Sequence, residues 1–180
     1  MSIEFTEEHA SRLLTLASFL RDCIDPDQFD MSNYVCSELI KEVAATPLDD
    51  LEDSGKALDA AGELAAEEIV NGETRCGTAA CAAGWCPYVF PDDWEYSSEI
   101  VPVLKSGSIA EFADRFDDLM EEKLYPGLKV TPTIACLSLF FGLDLNEVDN
   151  LFYSDFDRTN ADEADTIEQL VEEKGYVYAE

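Results

Sequence analysis

The sequence predicts an all-α protein: a compact bundle of about seven or eight short helices in one acidic domain over residues 1–180, with room for one minor short strand pair. Three observations predict it. Apolar residues recur at three- and four-residue intervals through most of the chain. Thr-Pro, Ser, Asp and Gly punctuate those stretches where helix caps belong. Alternating runs long enough for a sheet are missing.

Taken in order, Thr6 caps a first helix whose Leu13, Leu16, Ala17, Phe19 and Leu20 form one face, ending before Asp25-Pro26. A second helix is expected over 32–45, with Met31, Val35, Leu39 and Val43 in a stripe, and Thr46-Pro47 supplies its stop and the next start. The stretch 48–70 is helical in composition but carries Gly55 and Gly62, which predicts one broken helix or two short ones. In CGTAACAAGWC, Thr78 is placed to cap a short helix from Ala79 to about Trp85, and PYVFPDDWEYSS then reads as irregular. Ser108 and Glu111 have the spacing of a capping box for a helix reaching about Leu124, with Phe112, Phe116, Leu119 and Met120 inward. Tyr125-Pro126-Gly127 ends it. Thr131-Pro132 opens the next helix and Gly142 closes it; Asp144 caps a short one through Leu151; Thr159 or Asn160 caps the last, which stops at Gly175. Val101–Leu104 or Tyr176–Tyr178 is the place for a short strand.

Charge dominates composition. The chain has 11 Lys plus Arg against 40 Asp plus Glu, a formal charge of -29 and a pI of about 4.1. Direct binding to DNA, RNA or an anionic membrane by bulk electrostatics is thereby excluded, because those ligands reward Lys and Arg. With 47% hydrophobic and 11% aromatic residues the chain still has enough apolar matter for one core, so disorder is not expected. The opening MSIEFTEEHA lacks a basic export signal and no apolar run approaches the roughly 20 residues of a membrane span, which predicts a cytoplasmic protein. The six cysteines (Cys23, Cys36, Cys76, Cys81, Cys86, Cys136) then read as reduced thiols, with Cys36 and Cys136 packed as small hydrophobes.

FDMSNY (29–34), CGTAACAAGW (76–85), FGLDLNEVDNLFY (141–153) and a capped last helix ending at Gly175 give the chain a recognisable order. In this order it resembles a group of small uncharacterised proteins of phages and prokaryotes, whose signature is C-G-T-x-x-C-x-A-G followed downstream by a Gly-Leu segment ending in Leu-Phe-Tyr. Cys76, Gly77, Thr78, Cys81, Ala83 and Gly84 all match. The resemblance implies a phage-like origin, hence the host cytoplasm, and attaches no catalytic activity. The chain departs from the pattern in Cys86, in the stretch from about 47 to 70 and in its acidity.

No enzyme is expected. Cys76, Cys81 and Cys86 stand five residues apart, not at the close spacing that puts two thiolates on one zinc, and a single histidine, His9, is available to them. His9 in TEEH reads as part of an exposed first turn, remote from nucleophile chemistry. Phosphate-loop patterns are absent. DFDRTNADEADT (155–166) lacks the glycine and glutamate of a calcium loop and is explained by helix capping. No catalytic residue, metal or cofactor is therefore expected. The Ala- and Gly-rich 79–84 segment, with Trp85 as anchor, reads as a keystone of the core.

The acids fall on helical stripes. Asp114, Asp117, Asp118, Glu121 and Glu122 recur at three- and four-residue intervals opposite Phe112, Phe116 and Met120; Asp59, Glu63 and Glu67 repeat the pattern, as do Asp165, Glu168 and Glu172. A solvated face usually intersperses lysine. Here five like-charged i,i+4 pairs (114/118, 117/121, 118/122, 59/63, 63/67) together cost roughly 1 to 2.5 kcal/mol. Duplex DNA carries one charge per about 1.7 Å of axis, so 29 charges equal roughly 50 Å of duplex. A chain of this length has a diameter of roughly 40 Å, a comparable linear density. An even spread would dilute the acids to about one per 220 Å², against about one phosphate per 107 Å² of duplex, so mimicry requires concentration on one ridge.

The first functional expectation is a non-catalytic, phage-type inhibitor that mimics DNA towards a basic nucleic-acid-binding host defence protein (restriction, CRISPR or repair), through Asp114, Asp117, Asp118, Glu121 and Glu122 supported by Asp59, Glu63 and Glu67. The alternative is a module that docks on a host protein through an apolar surface including Trp94 and Tyr96, with acidity serving solubility or high-salt adaptation.

Overall fold

The computed structural model describes residues 4–29, 51–71, 80–124, 128–153 and 157–176. Among them are eight α-helices and two minimal antiparallel strand pairs. The fold is a compact all-α bundle. The helix expected over 32–45 lies outside the described residues, as do Cys76 to Thr78 and Tyr125 to Gly127.

Helix α1 (Glu7–Asp22) starts where expected, with Thr6 as its cap. Its buried Leu13, Leu16, Ala17 and Leu20 pack along α8 (Asn160–Glu173), whose Ala164, Ile167 and Val171 are buried. Two further helices are central. In α6 (Pro132–Phe141) every residue from Thr133 to Phe141 is buried, as the apolar sequence TIACLSLFF requires. In α3 (Ala82–Val89) Ala82 through Pro87 are buried, and the slim Ala-Ala-Gly turn lets α1 and α2 (Leu51–Asn71) approach, with Trp85 between Phe19 and Tyr88. Thr131 caps α6, Gly142 ends it at φ 66, Asp144 caps α7 (Leu145–Phe152), and Thr159 caps α8.

Four expectations need correction. Helix α2 is continuous: glycine costs about 1 kcal/mol in a helix without breaking it, and a Cβ at Gly62 would meet Ile100 Cδ1 at 2.5 Å, so the glycine makes room for that side chain. Helix α3 begins three residues later than expected and is capped by Cys81, whose Sγ accepts the Gly84 N–H at 3.4 Å. Ala80 is held extended by donating its N–H to Gln28 O at 3.0 Å, in a parallel bridge between Phe29 and Ala80.

The segment read as irregular contains the end of α3 and a strand, β1 (Trp94–Tyr96), paired with β2 (Pro102–Leu104), within the Val101–Leu104 stretch expected to hold one. Tyr176, at the other suggested strand site, is not in a strand. Lastly, the helix expected from Ser108 to Leu124 is two: α4 (Ser106–Ala110) and α5 (Ala113–Glu121). The Ser108 hydroxyl donates to Asp93 Oδ1 at 3.0 Å instead of forming a box with Glu111. A second strand pair, β3 (Lys123–Leu124) with β4 (Leu128–Lys129), follows α5.

Candidate partner-binding surface

Helix α5 turns Leu119 into the core and keeps Phe116 and Met120 half-buried against it, which leaves Asp114, Asp117, Asp118 and Glu121 exposed on the other side. Nine residues of helix are about 13.5 Å long, so four acids give one charge per about 3.4 Å of axis, the phosphate spacing of a single DNA strand. None of these four forms a salt bridge among the described residues. Asp114 in the first turn suits the helix dipole, whereas Asp118 and Glu121 in the last turn, which holds no base, oppose it.

Glu122 does not extend the row. It follows the helix end with ψ 168 and is half-buried, so the 118/122 pair is not on a helix and four repulsive i,i+4 pairs remain of the five expected. Glu111 is exposed at the α4–α5 junction and adds an acid at the start of α5. Arg115, the one base on α5, lies close enough to His9 on α1 to lower its proton affinity.

Glu63 and Glu67 are exposed one turn apart on α2, with Asp59 one turn earlier on the same helix. Leu64 stands among them at 53% exposure, an apolar point within an acidic row. Helix α2 packs on α3, whereas α5 packs on α6. The supporting acids and the principal ones are thus two rows on helices with different neighbours. The third stripe has another use: Arg21 of α1 donates to Asp165 at 2.7 Å and to both oxygens of Glu168, tying α1 to α8. Those two carboxylates, Glu168 before Asp165, push the Arg21 pKa still further up.

The described ion pairs cluster in the same way. Arg12 with Glu8 (2.5 Å), Arg21 with Asp165 and Glu168, Arg158 with the fully buried Glu163 (2.6 Å), and Lys174 with Glu147 all involve α1, α7 or α8. Arg12, Arg21, Arg158 and Lys174 are engaged on that side, whereas the four acids of α5 share their helix with one base, Arg115, and keep a net charge of -3, with Lys123 and Lys129 following in the β3–β4 pair. Along the chain, α5 holds four acids in nine residues against 40 in 180 overall, about twice the average.

Two buried thiols, Cys86 and Cys136, are poor nucleophiles. Burial pushes the Cys86 thiol well up, and burial likewise pushes Cys136 up to about 11, although Cys136 Sγ accepts the Leu104 N–H at 3.3 Å. His9 is half-buried rather than exposed as expected, with its ring engaged in the α1 cap. Trp94, offered as a docking residue in the alternative reading, is only 1% exposed and packs on Phe140 and Phe141; Tyr96 is half-buried and its hydroxyl donates to Gly84 O at 2.5 Å. A cleft of about 200 Å³ between α7 and α8, lined by Glu147, Asn150, Leu151, Thr166, Gln169, Leu170 and Glu173, is below the usual 300–1,000 Å³ of a ligand site. Among the described residues no group of three His, Cys, Asp or Glu side chains is placed to hold a metal ion, and no helix is long and apolar enough to cross a membrane.

The sequence missed the roles of Arg21 and Trp94. Arg12 and Glu8 carry an i,i+4 signal, but the Arg21 pairs span 144 and 147 residues. The inward turn of Trp94 rests on alternation over three residues only. No family model, curated protein or solved structure matches the chain.

Proposed function

We propose that the protein is a non-catalytic, phage-type inhibitor whose α5 row imitates a nucleic-acid strand towards a basic nucleic-acid-binding protein of the host's restriction, CRISPR or repair systems. The observation that carries this reading is the spacing of the exposed Asp114, Asp117, Asp118 and Glu121 at one acid per about 3.4 Å, against a single base, Arg115, on the same helix, while the described ion pairs sit around α1, α7 and α8. Long-range attraction would steer the row into a basic channel. Glu63, Glu67 and the exposed Leu64 of α2 offer a second, mixed contact.

The test is capture from host lysate on the immobilised protein, followed by release with a duplex of about 15 base pairs or with salt. The reading expects a nucleic-acid-binding protein that duplex DNA displaces and that the variant carrying Asp114→Asn, Asp117→Asn, Asp118→Asn and Glu121→Gln fails to retain. Retention that resists about 0.5 M salt, or equal capture by the variant, overturns it.

The alternative reading, docking through an apolar surface, is favoured by the exposure of Leu64, Val70 and Tyr88. It loses Trp94 as an anchor. Leu64→Ser and Tyr88→Ser would abolish capture under that reading and leave it largely unchanged under the first.

A further inference from the structure

His9 is the single histidine of the chain and the N3 residue of α1. Its Nδ1 lies 3.1 Å from the Thr6 backbone nitrogen and accepts that N–H, while Thr6 Oγ1 accepts the His9 N–H at 3.4 Å. This closes a capping box in which histidine stands where Glu or Gln is usual. The ring also lies flush against Gly142 at the end of α6, where a Cβ would be 2.3 Å from Nδ1 and 2.6 Å from Cγ. Phe5 contacts the ring at a centroid distance of 5.9 Å and packs edge-on against Tyr176, whose hydroxyl donates to Phe5 O at 3.3 Å.

An imidazole nitrogen that accepts a backbone N–H carries no proton, so this arrangement requires the neutral ring with its hydrogen on Nε2. Thr6 Oγ1 also lies 3.1 Å from Nδ1 and is the acceptor left to a proton there, but that proton would set Nδ1–H against the Thr6 N–H, break the capping box and place a cation near Arg12 of α1 and Arg115 of α5. Glu8, the nearby carboxylate, is bound to Arg12 at 2.5 Å, and Lys174 sits 5.4 Å over the Phe5 ring. The end of α6 would ordinarily welcome a cation, but Phe140 O already accepts from Arg12 Nη1 at 2.9 Å.

We infer that His9 is a proton-operated latch: neutral, it seals the first turn of α1 against the end of α6 and holds the Phe5–Tyr176 contact that joins the segment before α1 to the segment after α8; protonated, it lets them part. Burial first, then Arg12, hold the folded-state pKa of His9 below its ordinary 6.5. A depressed pKa contributes stability that is complete above the unfolded value and lost as pH falls through the folded one, so the latch opens below about pH 6.5.

His9→Gln keeps an acceptor for the Thr6 N–H and does not titrate. Melting temperatures of both proteins from about pH 7.5 to about pH 5, at fixed ionic strength, cancel the carboxylates common to both. The wild type should lose on the order of 2 °C relative to the variant across this range, with faster hydrogen exchange at Ala10 in the wild type on the acid side. A gap constant over the range overturns the inference. Should the variant fail to fold, ¹⁵N NMR of the wild-type imidazole decides: an unprotonated Nδ1 at neutral pH and a pKa below 6.5 support the latch, and a pKa at or above 6.5 removes it.

Discussion

At Gly142 two demands meet in one residue: the backbone turns at φ 66, and the His9 ring fills the space of a Cβ. Gly142→Ala should therefore cost about 2–4 kcal/mol, combining left-handed strain with a disrupted α1 cap. Gly175→Ala isolates the first part, since Gly175 has φ 88 with nothing within 4 Å of its Cβ position, and should cost only about 1 kcal/mol. Urea denaturation of both variants checks the difference; equal losses would mean that the His9 contact carries no weight. Trp94 makes the companion case. Flanked by Asp92, Asp93 and Glu95, it reads from the sequence as a surface residue, yet it is 1% exposed against Phe140 and Phe141. Trp94→Ala should cost about 3–5 kcal/mol of stability, visible as a lowered urea midpoint, so any loss of binding in that variant would report on the core rather than on a docking surface.

Elements were legible where their signals are local. Thr6, Thr131, Asp144 and Thr159 each cap a helix within three residues of themselves, and Gly142 ends one by its own backbone conformation, so these boundaries follow from the sequence. Boundaries set by distant partners did not. Ser108 is drawn to Asp93 fifteen residues away, and Ala80 is held extended by Gln28. The acidic row of α5 belongs to the legible class, because its periodicity lies within one short helix; Glu122 was misplaced because the end of that helix was. The row also has a cost that the bundle does not need, and this makes it testable at the level of the element. Neutralising Asp118 and Glu121 to their amides removes the 114/118 and 117/121 repulsions while leaving Asp114 in the favourable first turn, and should stabilise the protein by about 0.4–1 kcal/mol, read as a raised urea midpoint. The same change should weaken capture of a basic partner. A stability gain coupled to a binding loss is the mark of a surface kept for function; destabilisation would show that these carboxylates hold the fold in a way their exposure does not reveal.

Across the whole molecule, the fold class and the excess of acid were readable in the composition, whereas the allocation of bases was not, because Arg21 reaches carboxylates 144 and 147 residues away. That allocation gives salt two opposing actions. Most of the -29 charge repels itself, and raising salt shortens the screening length from about 10 Å at 0.1 M to about 3 Å at 1 M, relieving the repulsion. The ion pairs of α1 and α8 weaken over the same range, but exposed pairs such as Arg21 with Asp165 contribute only about 0–1 kcal/mol each. Repulsion should win. The melting temperature is therefore expected to rise between about 0.05 and 0.5 M NaCl and to level off as the screening length falls to atomic dimensions, while association with a basic partner falls steeply over the same interval. Opposite responses of stability and binding to one variable distinguish the mimic from the other readings. A protein acidic for life in strong brine would go on gaining stability well above about 1 M, beyond the reach of simple screening, and a module docked by Leu64 and Tyr88 would keep its partner. A melting temperature that falls with salt would mean that the ion pairs outweigh the repulsion, and the acidic row on α5 would then have to be explained by something other than charge.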